Sequence, residues 1–128
     1  MIKVAVDAMG GDNAPSEIVA GAVAAVNKEK TVHVLLVGRR EDVERELAKH
    51  TYPKDQIQVV HASEVIETEE PPVNAIRKKK DSSIVVGMNL VKSGEADAFV
   101  SAGSSGAILV GGQVIVGRLK GVERPPLA

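Results

Sequence analysis

The sequence predicts an α/β fold, a mostly parallel sheet with helices on both faces. Three observations carry that expectation. Short apolar runs rich in Val and Ile alternate with longer stretches at helical spacing. The runs end at Gly or at polar turn residues. The resulting order, βαβαβ-α-α-βα, is that of strands joined by helical crossovers, which lie parallel in one sheet. At 128 residues the chain has the length of one domain, 1–128, and it shows no repeat, low-complexity tract or interdomain linker.

The elements follow in order. Ile2–Ala8 is a β-branched run suited to a strand buried on both faces, and Gly10-Gly11 ends it with a turn. Asp12 or Asn13 can cap the next helix, with Pro15 in its first turn and Glu17 near the positive end of its dipole. Ile18, Val19, Ala22, Val23 and Val26 form its apolar face. Thr31–Val37 is the second strand and Glu41–Lys49 a polar helix with a thin stripe of Val43 and Leu47. After the turn at Tyr52–Asp55, Ile57–His61 is the third strand. Glu64–Pro72 is acidic and irregular, because Pro71-Pro72 cannot sit inside a strand. Val73–Lys80 suits a short helix. Ser82 or Ser83 caps another, with Ile84, Val85, Met88 and Val91 on one side and Gly94 at its end. Asp97–Ser101 is the fourth strand. Gly103–Gly106 turns into a last helix, Ala107–Leu119, apolar nearly all round and expected to be buried.

Composition excludes several function classes. The net charge of -1 gives no general pull toward nucleic acid or anionic lipid. Tyr52 and Phe99 are the only aromatic residues, too few for a surface that stacks bases. With no Cys there is no disulfide, thiolate metal site or Cys nucleophile. No secretory signal precedes Asp7, so a cytoplasmic protein is expected. The uncharged run from Ala98 to Gly117 is long enough to cross a bilayer, but its five Gly, three Ser and one Gln divide it into strand, turn and helix.

Ligands of open α/β sheets bind at the carboxyl ends of the strands, and two loops there have suitable composition. In the first, Asp7–Asn13, Gly10 and Gly11 let the backbone approach an anion and aim N–H groups at it. Asp7 and Asp12 repel an anion, and instead suit orienting a donor, accepting a proton or holding the loop. A capped turn with no ligand is the competing reading. The second, Ser101–Gly106, combines Gly103 and Gly106 with the hydroxyls of Ser101, Ser104 and Ser105, a composition that favours a phosphate or oxyanion cradle over a plain turn. No GxGxxG, Walker A loop or HExxH is present, so neither a nucleotide cofactor nor a metal is expected. His33 and His50 read as structural or exposed, and His61 can reach the ligand edge. Arg77, Lys78, Lys79 and Lys80 form a basic cluster, either a solvated helix face or a docking site for an acidic partner, and Arg118, Lys120 and Arg124 form a second.

These residues also carry a resemblance. Val6–Pro15 (VDAMGGDNAP), the segment from Glu69-Glu70-Pro71-Pro72 through Arg77–Ser83, Ala96–Ala107 (ADAFVSAGSSGA) and Val116–Ala128 (VGRLKGVERPPLA) resemble, in order and spacing, the N-terminal part of PlsX-type phosphate acyltransferases. The family loop usually reads Ser-Ala-Gly-Asn-Thr-Gly, where this chain has Ser104-Ser105. Family members are more than twice this long. The resemblance implies a truncated three-layer sandwich like that of isocitrate and isopropylmalate dehydrogenases. It implies acyl transfer from acyl carrier protein to inorganic phosphate, giving acyl phosphate for bacterial phospholipid synthesis. It further implies a homodimer, peripheral at the membrane, in contact with a membrane-bound glycerol-3-phosphate acyltransferase. On that reading Asp7, Asp12, Ser104 and Ser105 are the catalytic candidates. Gly10, Gly11, Asn13, Ser101, Gly103 and Gly106 hold phosphate, and Arg77–Lys80 dock the carrier protein. The rival expectations are a non-catalytic phosphate- or nucleotide-binding module, and a dimerisation fragment inactive by itself. The enzyme reading requires the loops after strands one and four to meet at one rim.

Overall fold

The computed structural model describes residues 2–67, 69–112 and 115. Among the described residues four strands, β1 (Ile2–Asp7), β2 (Val32–Gly38), β3 (Ile57–His61) and β4 (Ala98–Val100), form one sheet in the order β3-β2-β1-β4, and every pair is parallel. Five helices among the same residues accompany them: α1 (Ser16–Lys28), α2 (Arg40–Leu47), α3 (Pro72–Lys78), α4 (Ser83–Lys92) and α5 (Ser105–Gly111).

The period of two along each strand sorts side chains between two faces. Val6, Val34, Leu36, Ile57 and Val59 meet Val19, Val23 and Val26 of α1 and Val43 and Leu47 of α2. On the opposite face Ala5, Leu35 and Val37 meet Val86, Leu90 and Val91 of α4. Both faces are therefore covered over β1–β3, whereas on β4 only Phe99 is packed and Ala98 and Val100 lie exposed. A dry surface on each side is what lets strands read as continuous apolar runs. The far side of α4 makes a third cluster, in which Ile84, Val85 and Met88 pack against Ala75 and Ile76 of α3 and Ala107 of α5. The sequence assigns one apolar side to α4, whereas the helix is buried on two. It is a layer between the sheet and α3–α5, and Gly87 is what allows it to sit so close. A Cβ there would fall 2.2 Å from the Phe99 ring.

Several boundaries differ from expectation. Asp12 and Asn13 do not cap α1; they lie exposed in a turn, and α1 starts after Pro15 with no side-chain cap. The Pro15 carbonyl accepts the Val19 amide (2.9 Å), and the Asn13 carbonyl accepts that of Glu17 (3.1 Å). A proline at this boundary has no N–H of its own to satisfy. At α4 the choice falls on Ser82, whose hydroxyl accepts the Val85 amide (3.2 Å) while Ser83 is already helical. Gly94, at φ +83°, ends the helix in the left-handed region that favours glycine. β4 is shorter than Asp97–Ser101 because Asp97 pairs through its side chain. Its carboxylate accepts the Lys3 amide (2.8 Å) while its own amide donates to the Lys3 carbonyl (2.7 Å). The end of the helix expected to reach Leu119, and the basic group Arg118, Lys120 and Arg124, lie outside the described residues. Among the described residues no helix is long and apolar enough to cross a membrane.

Candidate functional site

Because β1 and β4 are parallel neighbours, the loops that leave them emerge at the same rim. They interlock backbone to backbone. A Cβ on Gly10 would lie 2.7 Å from the Gly103 amide nitrogen and 2.7 Å from Asp7 Oδ2. A Cβ on Gly103 would lie 3.2 Å from Ser101 Oγ and 3.5 Å from the Gly10 Cα. Gly11, at φ +96°, faces Ala102. Glycine at position 10 is thus a requirement of the junction, not only of the turn, and at position 103 a side chain would be tight against Ser101 and Asp7.

Asp7 holds the junction from beneath. It is 2% exposed. Its Oδ1 accepts the Met9 amide (2.9 Å), and its Oδ2 accepts the Ser101 hydroxyl (2.7 Å), whose oxygen in turn accepts the Gly103 amide (2.9 Å). One carboxyl group therefore orders its own loop and, through Ser101, the loop 94 residues away. The Gly103 and Met9 amides are spent inside the junction. Ser104 is buried and caps α5, its hydroxyl accepting the Ala107 amide (3.2 Å). Ser105 is exposed at the first position of α5. The amides of Ser105 and Gly106 precede the first intrahelical bond and so have no helical acceptor.

A cleft of about 510 Å³ opens over this second loop, lined by Gly103, Ser104, Ser105 and Gly106 on one side and by Glu69, Glu70, Pro71 and Pro72 on the other. The two walls touch where a Cβ on Gly106 would come within 2.6 Å of Pro72 Cγ. Asp12 and Asn13 are exposed in the turn beyond Gly11 and do not line this cleft.

The basic cluster divides. Arg77, Lys78 and Lys80 are exposed, whereas Lys79 turns back and donates to the Val65 carbonyl (2.8 Å) and pairs with Glu70. The Glu67 amide (3.0 Å) and the Lys79 ammonium, in that order, hold the Glu70 carboxyl below the usual carboxylate range, against a small opposing effect of burial. Sequence reasoning missed this pair. Its one signal is an acidic run shortly before a basic one, and that pattern does not say which members meet.

The other half of the rim is built differently. Arg39, Arg40, Glu41, Asp42, His61 and Ser63 line a cavity of about 490 Å³ beyond the ends of β2 and β3. His61 does reach the rim, where its Nδ1 accepts the Arg40 amide (3.1 Å). Arg39 Nε donates to the Ser63 carbonyl (3.2 Å), and Ser63 donates both its hydroxyl and its amide (3.0 Å) to Asp81. Those bonds, the hydroxyl first, lower the Asp81 pKa, with a smaller contribution from His61.

The chain is similar over nearly its whole length to proteins of one family. The family model described as "Fatty acid synthesis protein" matches residues 2–128. Among curated relatives, the "Phosphate acyltransferase" of Alkaliphilus oremlandii is 54% identical over 127 residues, 99% of this chain and 38% of that protein. Those of Clostridium tetani and Clostridioides difficile are 50% and 49% identical, over 99% and 98% of this chain and 38% and 37% of theirs. The chain thus spans less than two-fifths of the length of these relatives. With a family match over all but its first residue and relatives about half identical, this chain belongs to the fatty acid synthesis protein family.

Proposed function

We propose that the protein carrying this chain transfers a fatty acyl group from an acyl-carrier-protein thioester to inorganic phosphate, and that the β1/β4 rim holds the phosphate. The observation that carries the reading is the interlocked Gly10–Gly103 junction beside a cleft walled by Gly103–Gly106. Adjacent strand ends fix both loops, so the amides near Gly11, Ser105 and Gly106 are held in place before a ligand arrives. Preorganised donors of this kind are where stabilisation of a developing oxyanion is largest.

The chemistry is direct displacement. A phosphate oxygen forms a bond to the thioester carbonyl carbon, a tetrahedral oxyanion develops, and the C–S bond breaks as the carrier-protein thiolate leaves and takes a proton from solvent. Phosphate is already a competent nucleophile, so holding it against the carbonyl supplies much of the acceleration. Asp7 is buried and committed to two hydrogen bonds, which suits it to ordering the loops rather than to touching substrate. Ser105 is the hydroxyl best exposed to a bound anion. Arg77, Lys78 and Lys80 are exposed, which suits them to meeting an acidic carrier protein. A homodimeric, cytoplasmic enzyme working beside a membrane-bound glycerol-3-phosphate acyltransferase fits the reading, since acyl phosphate hydrolyses readily and needs a nearby consumer.

The test is thioester consumption by the intact protein with and without phosphate, comparing carrier-protein and coenzyme A donors. Phosphate-dependent loss of carrier-protein thioester is expected, and loss independent of phosphate refutes the reading. Ser105→Ala is the informative variant, because Ser104→Ala also removes the α5 cap. Losing one well-aimed donor costs roughly 2.7–4 kcal/mol of barrier. Charge reversal at Lys78 and Lys80 raises the apparent carrier-protein constant and flattens its salt dependence.

A further inference from the structure

Two glutamates stand across the cleft from the loop assigned to phosphate. That is an unfavourable arrangement for an anion unless one of the charges is offset. The offset comes from Lys79. Its ammonium pairs with Glu70 Oε1 and donates to the Val65 carbonyl (2.8 Å). The same Glu70 oxygen accepts the Glu67 amide (3.0 Å). Both members of the pair are partly buried, at 30% and 26% exposure, where an ion pair is less screened than on an open surface. These bonds join Glu67, Glu70 and Lys79 just before Pro71-Pro72, and Pro72 is the residue of this cleft wall that abuts Gly106.

We propose that Lys79 is a positioning residue of the cleft. It fixes the wall from Glu69 to Pro72 against the Gly103–Gly106 loop and offsets the charge that Glu70 would otherwise present to a bound anion. The assignment rests on the phosphate reading given above, and it separates Lys79 from the exposed Arg77, Lys78 and Lys80.

The experiment is phosphate saturation of acyl transfer in the intact protein, with Lys79→Met, Lys79→Arg and the double variant Lys79→Met/Glu70→Gln, and with folding checked by thermal unfolding. Lys79→Met leaves Glu70 uncompensated and raises the KM for phosphate roughly tenfold, with a smaller change in kcat. Lys79→Arg keeps the charge and stays near wild type. The double variant removes both charges and returns the constant toward wild type, which a purely structural role does not predict. An unchanged phosphate constant in a folded Lys79→Met protein, or a double variant no better than the single one, overturns the proposal. So does failure of both Lys79→Met and the double variant to fold, since Lys79 is then required for folding. Wild-type protein that shows no phosphate saturation removes the phosphate reading and this inference with it. Saturation with an indifferent Lys79 removes this inference alone.

Discussion

The two halves of the sheet's carboxyl rim solve the same packing problem with different materials. Over β1 and β4 the loops meet through main chain, with Gly10 against Gly103 and a buried carboxyl group beneath them. Over β2 and β3 one main-chain bond, from the Ala62 amide to the Gly38 carbonyl (2.9 Å), is joined by side-chain contacts, with Arg39 on Ser63, His61 on the Arg40 amide and Ser63 on Asp81. A side-chain junction uses up its donors and acceptors on itself and stays tolerant, because a side chain can swing away. A main-chain junction leaves little room for adjustment, and it is to this less adjustable half that the phosphate reading assigns the ligand.

Breaking that comparison begins with Gly10→Ala. The added methyl meets main chain and a buried carboxyl oxygen, neither of which can move without separating the loops. A loss of about 3 kcal/mol in unfolding free energy is expected by denaturant titration, the upper part of the range for overpacking. Asp7→Ala follows. It strands the Ser101 hydroxyl and the Met9 amide, at a cost of about 2 kcal/mol by the same measurement. Gly38→Ala, at the end of β2, is the matched test on the tolerant half. Its methyl meets the Met9 side chain at 2.8 Å and Val43 Cγ2 at 3.2 Å. Methionine can change rotamer, so about 1 kcal/mol is expected. A Gly38→Ala cost equal to that of Gly10→Ala would dissolve the distinction between the halves. The smallest effect belongs to Asp81. Its pKa is lowered in the folded state, so its contribution is present above the unfolded-state value, near 3.9, and is lost as pH falls through the folded value. Asp81→Asn should therefore lower stability slightly at neutral pH and make the acid-side decline shallower, as read from unfolding midpoints between neutral and strongly acidic pH.

Much of the fold was legible because its signals are local. Strand three was expected over the residues it occupies, and strands one and two within a residue at each end, since β-branched runs bounded by turn residues need no tertiary information. Strand parallelism puts the Gly10 and Gly103 loops at one rim, as the enzyme reading required, but that they touch depends on β1 and β4 being neighbours, which the sequence did not show. What was not legible depended on distant partners. Ser101 reads as one more hydroxyl in a Ser-rich turn until Asp7 is placed beside it. Lys79 is indistinguishable from Lys78 and Lys80 in a run of like charges, and only its bonds to the Val65 carbonyl and to Glu70 set it apart. The capping expected of Asp12 or Asn13 failed for a local reason, because the turn over residues 12–15 runs on to Pro15 before the helix begins.

By itself the sequence determined the element order, the parallel sheet and the glycine positions, since periodicity and turn chemistry act over a few residues at a time. The tertiary structure alone decided which polar groups face a ligand and which are consumed within the fold. Asp7 and Lys79 are both hydrogen-bonded by groups that chain topology, rather than sequence proximity, brings within 3 Å. A side chain's chemistry is set by its residue type, but its availability is set by what else arrives at the same place.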